Sequence, residues 1–222
     1  MKKLNILLSL SLVLLINHSL SASNLENRYS SINLEYAIST GDVEGTGYQS
    51  DITYQFAGGE NSGPAFLLSY SSLSIDEVDG IDLSNSGISL DGDQILYGIG
   101  YIFKNENWHV IPYYAISDLK YSASGLISGS QSIDASTFGV MLRTAISPSV
   151  ALSFNVSYID IDDLSTTVTL DGLDYTVDLS GGGEAVASFD LEHSINDSLS
   201  IIYGAGFSDG VTTFSGGVSF SF

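Results

Sequence analysis

The amino-acid sequence predicts an all-β protein, an antiparallel up-and-down β-barrel that spans a membrane. Three observations support this fold class. Apolar and polar residues alternate with period two in ten segments, which is the pattern of strands with two different faces. The connections between these segments are short and polar on one side and longer on the other. The alternation also continues to the last residue, Phe222, where a soluble domain would expose a frayed apolar end.

The first half of the chain that follows the N-terminal leader contains five predicted strands. In the first, second and fourth, large apolar residues share one face, and small or polar residues share the other. The third is less regular because Phe66, Leu67 and Leu68 are consecutive. The fifth contains Pro112, which cannot donate a ladder hydrogen bond and therefore predicts a bulge. The five segments are residues 32–38, 48–56, 65–75, 95–103 and 108–119.

The second half contains five more predicted strands with the same alternation. Asp171 and Gly172 lie between two alternating runs and predict a tight hairpin, through which strands seven and eight extend past the depth of a bilayer. Strands nine and ten meet sooner, at residues 208–210. If one hairpin is misinterpreted, the alternative is an eight-stranded barrel. The five segments are residues 133–146, 150–158, 185–192, 199–208 and 214–222.

The first 22 residues have the layout of a secretory signal peptide. Two lysines form a positive start, residues 4–16 form an apolar core, and residues 19–23 supply the small side chains of a cleavage site. The apolar core has 13 residues, fewer than the roughly 20 that a transmembrane helix needs. We therefore predict cleavage after Ala22 and a mature barrel domain of residues 23–222.

Composition excludes one class of function. The chain carries 26 acidic and six basic residues, a formal charge of −20 at pH 7. Loss of Lys2 and Lys3 with the signal leaves four basic residues against the 26 acids, a charge of −22. Because nucleic-acid binding requires a cationic surface, we expect no nucleic-acid partner. The absence of cysteine also excludes a disulfide framework.

The two predicted strand faces distinguish a membrane barrel from a soluble β-sandwich. One face consists of Ser, Gly, Thr, Asn and Gln, and the other is rich in Tyr and Phe. A soluble sandwich would carry Lys and Glu on the face that meets water. Short turns on one side, longer loops on the other and an even strand count are typical of outer-membrane barrels. The signal peptide, the ten amphipathic strands and the ending "VSFSF" resemble small bacterial outer-membrane β-barrel proteins.

This resemblance implies a location and several partners. It implies that the protein resides in the bacterial outer membrane, in contact with membrane lipid and lipopolysaccharide. It also implies that the barrel-assembly machinery reads the last strand, with Phe220 and Phe222 in the assembly signal. We expect the protein to be a monomer. The resemblance identifies an architecture and not an activity.

The position of each charge, in a predicted external loop or within a predicted strand, separates the charges into two groups. With both chain ends in the periplasm, 18 of the 26 acids fall in or beside the predicted external loops. Charges within strands are costly if they face lipid, so they are expected to face the lumen. An open lumen with this charge excess would prefer cations, whereas a closed polar core would pair Arg143 with one of the acids. The predicted lumen charges are Glu35, Asp51, Arg143, Asp190 and Glu192.

The acidic external segments allow two interpretations. They provide solubility beyond the membrane, or they bind Ca²⁺ or Mg²⁺ loosely, because these hard cations require several carboxylate oxygens. The spacing does not match a calcium-binding loop, and we expect no other cofactor. The weak metal candidates are Asp76, Glu77, Asp79, Asp160, Asp162 and Asp163.

The positions of the histidines favour a non-enzymatic function. His18 is removed with the signal, and His109 and His193 both fall at the periplasmic rim, away from the external acids that would orient a catalytic base. We therefore predict a non-enzymatic barrel with a structural or surface-interaction role. The first alternative is a narrow pore for cations or small solutes, and an outer-membrane enzyme is the second.

Overall fold

The computed structural model describes residues 30–55, 62–83, 85, 87–105, 108–125, 129–170, 173–179 and 181–222. The predicted signal peptide lies outside the described residues. Within them the chain forms 13 β-strands and no helix long and apolar enough to cross a membrane. The strands are β1 (Ser31–Gly41), β2 (Val43–Gln55), β3 (Gly63–Val78), β4 (Ile81–Asp82), β5 (Ile88–Lys104), β6 (His109–Gly125), β7 (Gly129–Ser147), β8 (Val150–Ile161), β9 (Leu164–Leu170), β10 (Leu173–Leu179), β11 (Gly182–Ser194), β12 (Leu199–Ser208) and β13 (Val211–Ser221).

Ten of these strands close into one antiparallel barrel. Going round it, each strand pairs with the next in the order β1, β2, β3, β5, β6, β7, β8, β11, β12 and β13. β13 then pairs with β1, from Ser31 opposite Ser221 to Gly41 opposite Val211. The ten-stranded up-and-down barrel is confirmed, and the eight-stranded alternative is wrong. We call the end that holds Ser31 and Ser221 the near end, and the opposite end the far end.

The two faces of the barrel wall differ as the alternation requires. In β1, the side chains of Leu34 and Tyr36 are about half exposed on the outside, whereas Asn33 and Glu35 are buried inside. The same alternation of buried and exposed residues runs through the other barrel strands. In all, 31 large hydrophobic side chains are exposed among the described residues. Such an outer surface is suited to lipid, because soluble monomers rarely expose large contiguous apolar patches.

Four neighbouring strands extend beyond the others at the far end. β3, β5, β6 and β7 have 16 to 19 residues, more than the roughly 9–11 that cross a bilayer. The longer connections between the third and fourth predicted segments and between the fifth and sixth are therefore mostly strand. Their Ser, Gly and Asp content suggested loops, but the ladder continues, with Leu119 opposite Ile133 and Tyr121 opposite Gln131.

The bulge expected at Pro112 is not found there. The β5–β6 ladder omits the two pairs around Pro112 and resumes with Phe103 opposite Val110 in the same register. The missing N–H therefore interrupts the ladder without inserting a residue. Register shifts occur instead between Glu44 and Gly45 and between Ala145 and Ser147.

The hairpin predicted around residues 171 and 172 is present, but it is a separate sheet. β9 and β10 pair along their whole length, from Leu170 opposite Leu173 to Leu179 opposite Leu164. The turn residues lie outside the described residues. Asp162 and Asp163 have no strand structure, so β9 is not a direct continuation of β8. The prediction that strands seven and eight simply lengthen to form the hairpin is therefore wrong.

Candidate functional site

A buried ion pair joins two strands of the barrel across the strand between them. Arg143 on β7 and Glu192 on β11 both face the lumen, and β8 separates their strands. Arg143 Nη2 donates to Glu192 Oε2 at 2.9 Å, and Arg143 Nη1 donates to Ser153 Oγ on β8 at 3.2 Å. The two charged side chains are 1% and 3% exposed. The guanidinium group thus connects three consecutive strands inside the barrel.

The three other predicted lumen acids continue this polar cluster around the wall. Ser215 Oγ donates to Glu35 Oε2 at 2.9 Å, and Gln49 Nε2 donates to Asp51 Oδ2 at 2.6 Å. Asp190 lies over Gly204, where an added Cβ would be 2.6 Å from Asp190 Oδ1. A side chain at this position would displace the carboxylate.

The polar cluster carries an excess of negative charge. Glu35, Asp51, Asp190 and Glu192 are all at most 7% exposed, and the buried cation facing them among the described residues is Arg143. The other three carboxylates all lie within Coulombic range of Asp190. Because burying a carboxylate without a partner is costly, the single guanidinium group has a large effect on this arrangement.

Sequence reasoning missed two members of the cluster, Gln49 and Ser215. Both stand at inward positions of their strands, so the period-two alternation could have located them. Their partners could not be identified, because Ser215 and Glu35 are 180 residues apart in the chain. That contact exists only because β13 closes the barrel against β1.

The lumen also contains an apolar cluster beside its buried polar side chains, and the sequence did not predict this cluster. Nineteen buried hydrophobic residues form one cluster inside the barrel. Leu96, Ile111, Leu119, Met141 and Ile159 are at most 2% exposed and belong to β5, β6, β7 and β8.

Two inward glycines, Gly98 and Gly139, lie against neighbouring side chains. A Cβ added to Gly98 would lie 2.8 Å from the Cβ of Ala115. A Cβ added to Gly139 would lie 2.7 Å from the ring of Tyr113, whose hydroxyl group donates to Asn155 Oδ1 at 3.1 Å. Neighbouring side chains thus occupy the space above these two glycines.

The far end of the barrel carries most of the exposed charge. Lys120 is the basic side chain at this end among the described residues. Asp118 and Asp134 are directly opposite each other on β6 and β7 and are both exposed. The exposed acids at this end are Asp42, Glu44, Asp76, Asp79, Asp91, Asp118, Asp134, Asp160, Asp162, Asp163 and Asp209.

Glu184, at the far end, is partly buried. Glu184 Oε1 accepts a hydrogen bond from the backbone N–H of Asp209 at 2.6 Å, which ties β11 to the turn between β12 and β13. Burial raises the pKa of Glu184, and the hydrogen bond partly opposes this effect.

The six metal candidates fall into two groups at the far end. Asp76 and Glu77 lie near the end of β3, and Asp79 follows the strand in a turn with a φ of 50°. The other three stand at the end of β8 and directly after it. The described residues contain no group of three or more His, Cys, Asp or Glu side chains that could hold a metal ion. Loose cation binding at the six candidates stays a prediction.

The histidines and the terminal aromatics lie near the other end. His109 begins β6, is buried and stands opposite Arg143 in the β6–β7 register. His193 is exposed near the end of β11. Phe220 and Phe222 are exposed on the outer face, while Ser219 and Ser221 face the lumen. The structure therefore places the two histidines away from the far-end acids.

The closed ten-stranded antiparallel barrel, with an apolar outer face and charged residues turned inward, is the fold of outer-membrane β-barrel proteins. No family model and no curated protein matches the chain. Solved structures do match it. The translocator domain of the autotransporter NalP from Neisseria meningitidis covers 100% of this chain and 94% of its own length, with a TM-score of 0.60 and 14% identity.

Two further solved structures have lower scores. The outer membrane protease OmpT from Escherichia coli covers 87% of this chain and 94% of its own length, with a TM-score of 0.53 and 8% identity. Ail, the attachment invasion locus protein of Yersinia pestis, covers 89% of this chain and 99% of its own length, but its TM-score of 0.41 is too low to support a shared fold. At these identities the likeness establishes the fold alone.

Proposed function

We propose that the protein is a non-enzymatic integral barrel of the bacterial outer membrane, with a filled lumen that does not conduct and an acidic far end that contacts other molecules outside the cell. The observation that carries this proposal is the packing of the lumen. An apolar cluster of 19 buried residues and a buried ion pair lie inside the barrel, where a pore would need open space.

The outer surface supports membrane insertion. Pairs of aromatic rings lie on the exposed face, with Phe138 and Tyr158 at 5.4 Å between ring centroids and Tyr101 and Phe103 at 4.6 Å. Aromatic side chains of this kind flank the apolar band of transmembrane barrels. Phe222 at the end of β13 is consistent with recognition by the barrel-assembly machinery, and the fold likeness supports an outer-membrane location.

The filled lumen favours a closed barrel over a pore. Eight-stranded barrels are filled by side chains, whereas barrels of sixteen or more strands hold an aqueous channel. Ten strands lie near the filled limit, and the described lumen contains Leu119, Met141 and Ile159 at 1% exposure or less. Hydrophobic constrictions exclude water and therefore ions. A cation-selective pore is thus the weaker proposal, although the lumen carboxylates would favour cations.

The far-end acids suit contact with the outer leaflet and beyond. Ca²⁺ or Mg²⁺ shared between carboxylates and lipopolysaccharide phosphates would attach this surface to its surroundings without a dedicated metal site. The near-end position of His109 and His193 separates them from these carboxylates, which supports a role other than catalysis.

Planar-bilayer recordings test the closed lumen. We expect the refolded wild-type protein to insert without producing conductance steps. The variant Leu119→Ser/Ile159→Ser removes two buried apolar side chains from the lumen and should produce small, brief steps, because water then enters the constriction. Regular steps from the wild-type protein at the same protein-to-lipid ratio would contradict the proposal and support the pore.

A further inference from the structure

We propose that the inward face of β1 and β2 holds a Ca²⁺ ion inside the barrel. Four side chains form this place, which we call the β1–β2 site: Asn33 and Glu35 on β1, and Gln49 and Asp51 on β2. All four are at most 5% exposed. The site lies in the lumen, so it differs from the six weak candidates at the far end and does not depend on what the far end contacts.

The register of the barrel wall brings the four side chains together. Asn33 stands opposite Asp51, and Glu35 stands opposite Gln49. Directly opposite residues have Cβ atoms about 4.5–5.5 Å apart, and residues two positions apart along a strand are about 7 Å apart. The β1–β2 site is therefore a compact square of oxygen-bearing side chains. An ion with oxygen ligands at about 2.3–2.6 Å is within reach of side chains at this spacing.

Three buried oxygen atoms of the site accept no hydrogen bond from the part of the chain that the structure describes. They are Asn33 Oδ1, Gln49 Oε1 and Asp51 Oδ1. Each belongs to a side chain that is at most 2% exposed. Because buried polar atoms in native proteins almost always have partners, such a group of oxygen atoms indicates a ligand that attracts lone pairs. A cation has this property.

The two carboxylates of the site also require a positive charge. Glu35 lies within Coulombic range of Asp51, and both are buried. The buried cation among the described residues is Arg143, whose two terminal nitrogens already donate to side chains on β8 and β11. Hydrogen bonds from neutral neighbours reach Glu35 Oε2 and Asp51 Oδ2, but they supply no net charge. Since buried charges are paired or coordinate metals, a divalent cation matches the formal charge of −2.

The set of ligands selects Ca²⁺. Two carboxylates and two side-chain amides supply oxygen ligands, which hard cations prefer. Mg²⁺ loses its water molecules reluctantly and usually retains several, whereas Ca²⁺ accepts six to eight oxygen ligands in a flexible geometry. A deeply buried site made of protein oxygen atoms therefore favours Ca²⁺. The site has two carboxylates, so it is distinct from a cluster of three or more acidic ligands, which the described residues do not contain.

Inward hydroxyl groups connect the site with the near end. Ser31 and Thr53 lie two positions beyond the site on β1 and β2, and Ser219 and Ser221 lie on the adjoining strand β13. All four are at most 6% exposed. Because hydroxyl oxygens have acceptor lone pairs, they provide a polar route along which a cation enters from the near end.

The calcium content of the refolded full chain tests the proposal. The protein is refolded with Ca²⁺ or with the chelator EGTA, free ions are removed by gel filtration, and bound calcium is counted by atomic emission. We expect about one tightly bound ion per wild-type chain. Asp51→Asn preserves the shape of the side chain and removes one charge, so it should weaken Ca²⁺ binding at least about tenfold.

The matched control neutralises acids outside the lumen. Asp118 and Asp134 are exposed at the far end and stand opposite each other on β6 and β7. Asp118→Asn/Asp134→Asn should change the affinity of the tightly bound ion by less than about twofold, because neither side chain faces the lumen.

The urea midpoint separates ion binding from a merely structural effect of the variant. A ligand that binds only the folded chain stabilises it, so Ca²⁺ should raise the midpoint of the wild type. The midpoint of Asp51→Asn should not respond to Ca²⁺. In EGTA this variant should be at least as stable as the wild type, because the substitution removes a buried charge without a counter-charge.

Three results would overturn the proposal. Wild-type protein that retains no calcium, or Asp51→Asn that binds as tightly as the wild type, would contradict the β1–β2 site. Loss of the tightly bound ion in the far-end control alone would assign the ion to the surface. A midpoint that rises equally with Mg²⁺ would contradict the choice of ion. Bilayer recordings on the same samples separate this inference from the proposed function, because a folded, non-conducting barrel without calcium contradicts the site alone.

Discussion

Replacing Arg143 with methionine is expected to lower the free energy of unfolding by about 3–5 kcal/mol. The substitution removes the guanidinium group that donates to Glu192 and Ser153. It leaves a buried carboxylate without its counter-charge, next to three further buried acids. Urea titration of the refolded protein in lipid vesicles, followed by the mobility of unheated samples on gels, measures this loss.

The matched control removes both charges. Breaking a buried pair is costly, whereas replacing both partners with apolar residues is often close to neutral. We therefore expect Arg143→Met/Glu192→Leu to recover most of the stability lost in the single variant. If Arg143→Met alone unfolds within about 0.5 kcal/mol of the wild type, the ion pair does not stabilise the lumen as described.

Placing an arginine in the middle of the outer band should destabilise the membrane-inserted barrel by about 2–4 kcal/mol. Val140 on β7 is 43% exposed and lies between Phe138 and Leu142 on the outer face. In lipid, Val140→Arg forces a charge into hydrocarbon. In water, the same change would expose the charge to solvent at little cost. Urea unfolding from vesicles gives the difference.

Asp134→Arg is the control for this prediction. Asp134 lies on the same strand and the same face as Val140, but toward the far end, and it is exposed. Outside the bilayer the change should alter stability by less than about 0.5 kcal/mol. Equal effects of the two arginine variants would show that the outer face of β7 is not in lipid at Val140.

The barrel could be predicted because alternation is a local property of each strand. Each of the ten segments contained its own period-two pattern, and Ser208–Gly210 supplied the turn that joins the last two strands. The far-end extensions of β3, β5, β6 and β7 could not be predicted in the same way. Their residues are rich in Ser, Gly and Asp, and only the paired neighbour shows that these residues remain in the ladder.

The lumen was harder to predict than the wall. The alternation along each strand placed Arg143 and Glu192 on the inside. It could not show that these residues, 49 positions apart, face each other across β8. That contact depends on the stagger of the closed barrel. The apolar part of the lumen was missed because runs such as Phe66 to Leu68 and Met141 to Leu142 are apolar on both faces.

Electrophoretic mobility, with and without heating, tests the central claim of a closed barrel whose apolar outer face lies in lipid. The purified chain is compared after refolding into lipid vesicles and after dilution into buffer without lipid or detergent. We predict that the vesicle sample migrates faster before heating than after it, because a compact barrel resists unfolding until it is boiled. We also predict that the sample without lipid or detergent aggregates. A soluble protein in lipid-free buffer whose mobility does not depend on lipid would contradict the account.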